Sequence, residues 1–136
     1  MITAKELAKE IKRAVEWLIK NDQGCYTIKL DYVLAVCVGW SDGFDPNDET
    51  VIHSTTSPTW AITAGIKAWQ SDSLRTDFDL INSPYSEKET FDDDVTISQN
   101  ENYNELAEYF LKDYKELSEY DIDYDGSILG DAIPLF

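Results

Sequence analysis

The chain is poor in the residues that do most enzymatic chemistry. It holds one histidine, one methionine and two cysteines among 136 residues. Nucleophilic catalysis needs an activated Ser or Cys with a base in reach. The only histidine, His53, lies in a short β-like run beside Ser54, Thr55 and Thr56, where it reads as a structural residue. No G-x-S-x-G, H-E-x-x-H, Walker A or G-x-G-x-x-G pattern occurs. Carboxylates are so abundant that close pairs arise by chance, so their number says nothing about glycosidase-type chemistry. The expectation is a protein that is not an enzyme and holds no cofactor.

The two cysteines, Cys25 and Cys37, match neither a C-x-x-C nor a zinc spacing. They fall on successive predicted strands and read as two small buried thiols. A disulfide stays open only if the strand register brings their Cα atoms within about 7 Å. Long apolar runs are also missing. None approaches the roughly 18 residues that span a bilayer. The first twenty residues mix charges throughout and lack the apolar block of a signal peptide. A cytoplasmic protein is expected.

Positive charge is the scarcest commodity. The chain has 11 basic against 27 acidic residues, a net charge of −16. Residues 1–30 carry net +2, residues 31–70 net −4 and residues 71–136 net −14. Direct binding to nucleic acid or to an anionic membrane is disfavoured by repulsion. A basic protein groove and a cation are the favoured partners.

What is present is an apolar fraction of 43% with regular periodicity. Thr3 and Glu6 form a capping box. Leu7, Ile11, Ala14, Val15 and Leu18 then repeat at helical spacing, with Lys5, Lys9, Lys12 and Glu16 opposite. "NDQG" at 21–24 ends the helix with a glycine. "CYTIKL" and "VLAVCVGW" read as a tight hairpin about Asp31 and Tyr32. The second strand is apolar on both faces, so it is central and covered on both sides. "SDGFDPNDE" is a loop. "TVIHS" reads as a short strand, "WAITAGIKAWQ" as a strand in preference to a helix, "FDLI" at 78–81 and "VTIS" as further strands. A second amphipathic helix spans about 101–120, with Tyr103, Leu106, Phe110, Tyr114 and Leu117 on one face. The apolar tail "SILGDAIPLF" docks on the core. The pattern is one α+β domain over 1–136: an antiparallel sheet of about four to six strands, with an N-terminal and a C-terminal amphipathic helix packed on it.

Three functional readings follow. The first rests on charge: Asp92, Asp93, Asp94, Glu101, Glu105, Glu108, Glu116, Glu119, Asp121, Asp123 and Asp125 gather along the second helix and its flanks. Such a surface suits the basic groove of a nucleic-acid-binding protein. In size, acidity and α+β pattern, though not in any motif, the chain resembles small phage and mobile-element inhibitors, the anti-CRISPR proteins and other DNA mimics. That resemblance implies a stoichiometric inhibitor of a nuclease or surveillance complex. The competing reading is that the charge serves solubility.

The second reading rests on "DIDYDGSILGDA", which resembles the start of an EF-hand loop. Asp121, Asp123 and Asp125 stand at positions 1, 3 and 5, Gly126 at 6, and Ser127 offers its carbonyl at 7. The loop departs from the pattern at position 12, which is Ala132. Asp131 comes one residue early, Pro134 precludes an exiting helix, and no second loop exists to pair with it. The resemblance implies weak calcium binding. The third reading is a small enzyme or ligand-binding domain using Trp40, Phe44, Trp60, Trp69 and Tyr85 as a platform, although core filling explains most of these aromatics.

Overall fold

Residues 2–30, 34–68 and 94–117 are described by a computed structural model of the chain. Thr3 is in extended backbone, and its hydroxyl accepts from the Glu6 N–H at 3.2 Å. Glu6 Oε1 accepts from the Thr3 N–H at 3.0 Å. The box satisfies two N–H groups that a helix start leaves bare. Helix α1, Ala4–Asn21, follows. Leu7, Ile11, Ala14, Val15 and Leu18 are buried along one stripe, and Lys5, Lys9 and Lys12 are exposed. The left-handed cap of the helix comes two positions before the expected Gly24. Asp22 is its C-cap, in the left-handed region with φ 56°, and its N–H reaches the Leu18 carbonyl at 2.7 Å.

Strands β1 (Cys25–Lys29), β2 (Leu34–Ser41), β3 (Ala61–Ala68) and β4 (Val95–Thr96) form an antiparallel sheet in chain order. Helix α2, Tyr103–Leu117, completes the α+β fold. Strand alternation sorts the side chains. Tyr26 and Ile28, Leu34, Val36 and Val38, and Ile62, Ala64 and Ile66 lie on one face, all buried with the α1 stripe and with Leu106, Ala107 and Phe110 of α2. The register Ile28↔Val36↔Ile66 and Tyr26↔Val38↔Ala64 aligns them into rows across the sheet. Helix α1 packs on β1 and β2, helix α2 on β3, and the helices pack on each other. A one-residue slip of any strand would turn its apolar set to the opposite face.

The opposite face carries smaller residues, Cys25, Thr27, Ala35, Cys37, Gly39, Thr63 and Gly65, with Lys29 and Lys67 at the register positions either side of Ala35. Ala35 is fully buried there, and Thr27 and Thr63 are buried as well. The central position expected for "VLAVCVGW" is therefore met. Gly65 has a specific reason: a Cβ built on it would run into the Asp94 carboxylate, which lies over the strand.

One expectation needs correction, and two elements change their bounds. "TVIHS" is not a strand. It makes isolated bridges, Val51↔Ser98 and His53↔Ala61. The Ile52 N–H bonds to the Ile97 carbonyl, and the Ile52 carbonyl accepts from Ile62. The segment is wedged where β3 and the chain after β4 meet, so it has no continuous neighbour to ladder against. The segment read as "WAITAGIKAWQ" does pair, over eight residues, with β2; its β-branched Ile62, Thr63 and Ile66 outweigh its alanines. "VTIS" shortens to Val95–Thr96, and the second helix begins at Tyr103. The hairpin tip at Asp31 and Tyr32, the "FDLI" segment and the C-terminal tail lie outside the described residues. Among those residues no helix is long and apolar enough to cross a membrane.

Candidate functional site

Helix α2 sets where the described carboxylates of the acidic region can point. Leu106, Ala107 and Phe110 are buried, which turns Glu105 and Glu108 to solvent. Asn102 starts the helix, its Oδ1 accepting from the Glu105 N–H at 3.2 Å. Carboxylates in the first turns are stabilised by the positive end of the helix dipole. Glu116 is also exposed, but Lys112 and Lys115 are exposed on the same helix. The first half of α2 thus carries acidic charge alone, and its second half carries both signs.

Two of the proposed carboxylates are already engaged. Glu101 is half-buried, and its Oε1 accepts from the Ser98 N–H at 3.2 Å. Asp94 is exposed at the sheet rim with its carboxylate over Gly65. Asp92, Asp93, Glu119, Asp121, Asp123 and Asp125 lie outside the described residues, as do Ser127 and Asp131 of the calcium loop. Among the described residues no three His, Cys, Asp or Glu side chains come together in a way that could hold a metal ion.

A groove of about 520 Å³ opens between the start of α1 and the start of α2. Its walls include Lys5, Lys9, Lys12, Glu101 and Tyr103. Burial raises the Tyr103 phenol above its ordinary pKa, with Glu101 and Glu16 adding to the effect. The groove therefore joins the basic stripe of α1 to the acidic start of α2, so the acidic surface expected along the second helix borders a basic one.

His53 makes a structural contact, and the aromatics of the third reading are described only in part. His53 is half-buried, its Nε2 donates to the Asp48 carbonyl at 2.9 Å, and it bridges to Ala61. Trp40 packs against the core, whereas Trp60 is 38% exposed. The Phe44 N–H donates to the Thr59 carbonyl at 2.9 Å, next to Trp60 in sequence, and Trp69 and Tyr85 lie outside the described residues.

One constellation had no motif to announce it. The Asp22 carboxylate accepts from the N–H and the hydroxyl of Thr55, both at 3.1 Å. It also accepts from the Thr56 N–H at 3.0 Å and the Thr56 hydroxyl at 2.6 Å. The Thr56 hydroxyl and then Ser54 are the leading causes that hold this carboxyl well below the usual carboxylate range. Ser54 Oγ in turn accepts from the N–H groups of Thr56 and Ser57. The result ties the end of α1 to the turn before β3, across 33 positions of chain. Its only signal in the sequence is a run of hydroxyl residues, "STTS", which does not name its acceptor.

No family model matches the chain, and no match emerges among curated proteins or among solved structures.

Proposed function

We propose that this is a non-enzymatic acidic binding protein that occupies the basic groove of a nucleic-acid-binding protein, in the manner of phage or mobile-element inhibitors that mimic DNA. The observation that carries the reading is the net charge of −16 together with the solvent-facing pair Glu105 and Glu108 at the start of α2. A helix rise of about 1.5 Å per residue sets these two about 5 Å apart along the axis. That lies between one and two phosphate steps of a DNA strand, at about 3.4 Å each. A rigid helix holds the charges in place, so little order has to be imposed on binding. Negative charge over the rest of the surface steers the encounter and makes it salt-sensitive.

The test is inhibition of DNA binding across a panel of nucleases and surveillance complexes, followed by fluorescence anisotropy of labelled DNA at low and high salt. The expected result is stoichiometric displacement of DNA from at least one complex, lost at high salt. Glu105→Lys with Glu108→Lys should weaken it by at least about tenfold. Displacement that survives the double reversal at full strength, or a panel on which the protein displaces nothing, would refute the reading.

A further inference from the structure

The sequence reading expected Cys25 and Cys37 to be small buried thiols. Cys25 is instead exposed and Cys37 half-exposed. The register places them on the same face of adjacent strands: Cys25 is opposite Gly39, and Cys37 is opposite Thr27. They are thus diagonal neighbours, and their Sγ atoms lie 2.6 Å apart. The right-handed twist of an antiparallel sheet draws one diagonal together and spreads the other. The next strand pair repeats the same diagonal on the same face, where the Ser41 and Thr63 hydroxyls meet at 2.9 Å. Gly39 faces Cys25 across this pair, and the position where its Cβ would stand lies at ordinary contact distance, 3.6 Å, from the Cys25 Cβ.

We propose that Cys25 and Cys37 form a reversible disulfide across β1 and β2, made by exchange with a small-molecule disulfide of the glutathione type. The exposed Cys25 thiolate attacks one sulfur of the oxidised reagent. A mixed disulfide forms, and the first reagent thiolate leaves and takes up a proton. The Cys37 thiolate then attacks the Cys25 sulfur and expels the second reagent thiolate, which is protonated in turn. Two protein thiols are oxidised and one reagent disulfide is reduced to two thiols, so atoms and electrons balance. The bond pins β1, an edge strand among the described residues, to its neighbour.

The test uses the full chain equilibrated in oxidised and in reduced glutathione. Thiols are counted by alkylation and species identified by intact mass. The expected product is a monomer that has lost two hydrogens and takes up no alkylating reagent. Its melting temperature should exceed that of the reduced form by roughly 10 °C, from closing a short loop. Cys25→Ser and Cys37→Ala should each remove that difference and leave a mixed disulfide on the remaining thiol. Two alkylated cysteines, a glutathione adduct on the wild-type chain, or a disulfide-linked dimer as the oxidised product would overturn the proposal. The wild-type measurement decides the matter even if a variant folds poorly.

Discussion

Phe110 joins α2 to the rest of the core, and its truncation is the sharpest test of the packing. It is 1% exposed, beside Tyr109, which is 48% exposed. Phe110 shares its cluster with the α1 stripe and with residues of β1, β2 and β3. Removing a buried phenyl ring loses its transfer free energy and leaves a cavity that only partly collapses. Phe→Ala changes of this kind cost about 3–5 kcal/mol. Against a typical total of about 5–15 kcal/mol, that is a large share. For a chain of this size about 1 kcal/mol corresponds to roughly 3–5 °C, so the melting temperature should fall by about 10–20 °C. Tyr109→Ala provides the control. It loses an exposed ring and an edge contact with Phe110, whose ring centroid is 5.5 Å away. Such a pair is worth about 0.5–1.5 kcal/mol. Urea unfolding should show an unchanged slope and a lower midpoint for both variants. If Phe110→Ala costs no more than Tyr109→Ala, α2 does not rest on the sheet through this residue and the packing argument is wrong.

Asp22 predicts an acid limb. Its folded-state pKa is lowered by hydrogen bonds, Thr56 first. Its contribution to stability is therefore present above the unfolded value of about 3.9 and is lost as pH falls below that value toward the folded one. Asp22→Asn, which keeps a residue suited to the left-handed cap, should melt lower than wild type at neutral pH and lose less between pH 5 and 2. Parallel pH profiles for the two proteins would refute this. Gly65→Ala should destabilise by about 1 kcal/mol or less, because its methyl meets only the end of the exposed Asp94 side chain, which can turn aside. Asp94→Ala should restore most of that loss, and additive effects in the double variant would show that the two positions do not touch.

The helices were legible because local rules decide them. Thr3 and Glu6 are three apart, and the α1 apolar stripe has one period and one reading. The hairpin strands were legible for the same reason, as was β3, where β-branching outweighed alanine. "TVIHS" was misread because a bridge and a strand have the same local pattern. Only the arrival of Ser98, 47 positions after Val51, determines which forms. The charged surface was half legible. Net charge is a sum and is readable, but the pairing of Glu101 with Ser98 and the meeting of Lys5, Lys9 and Lys12 with the start of α2 depend on how two helices lie together. The cysteines show the same limit: the strands were foreseeable, the diagonal was not.

The division of cover between the two helices has a consequence for synthesis. Helix α1 and the β1–β2 pair come from the first 41 residues, so that portion of sheet emerges with its own lid. Strand β3 does not. Its inner row ends at Ile66, and the residue that closes over that side, Phe110, follows 44 positions later. At about 5–20 residues per second, a ribosome takes roughly 2–9 s to cover that interval. Throughout it, a nascent chain displays Ile62, Ala64 and Ile66 without their helix. Pausing sites and holdase chaperones that act in that window are therefore expected to bear on the yield of folded protein.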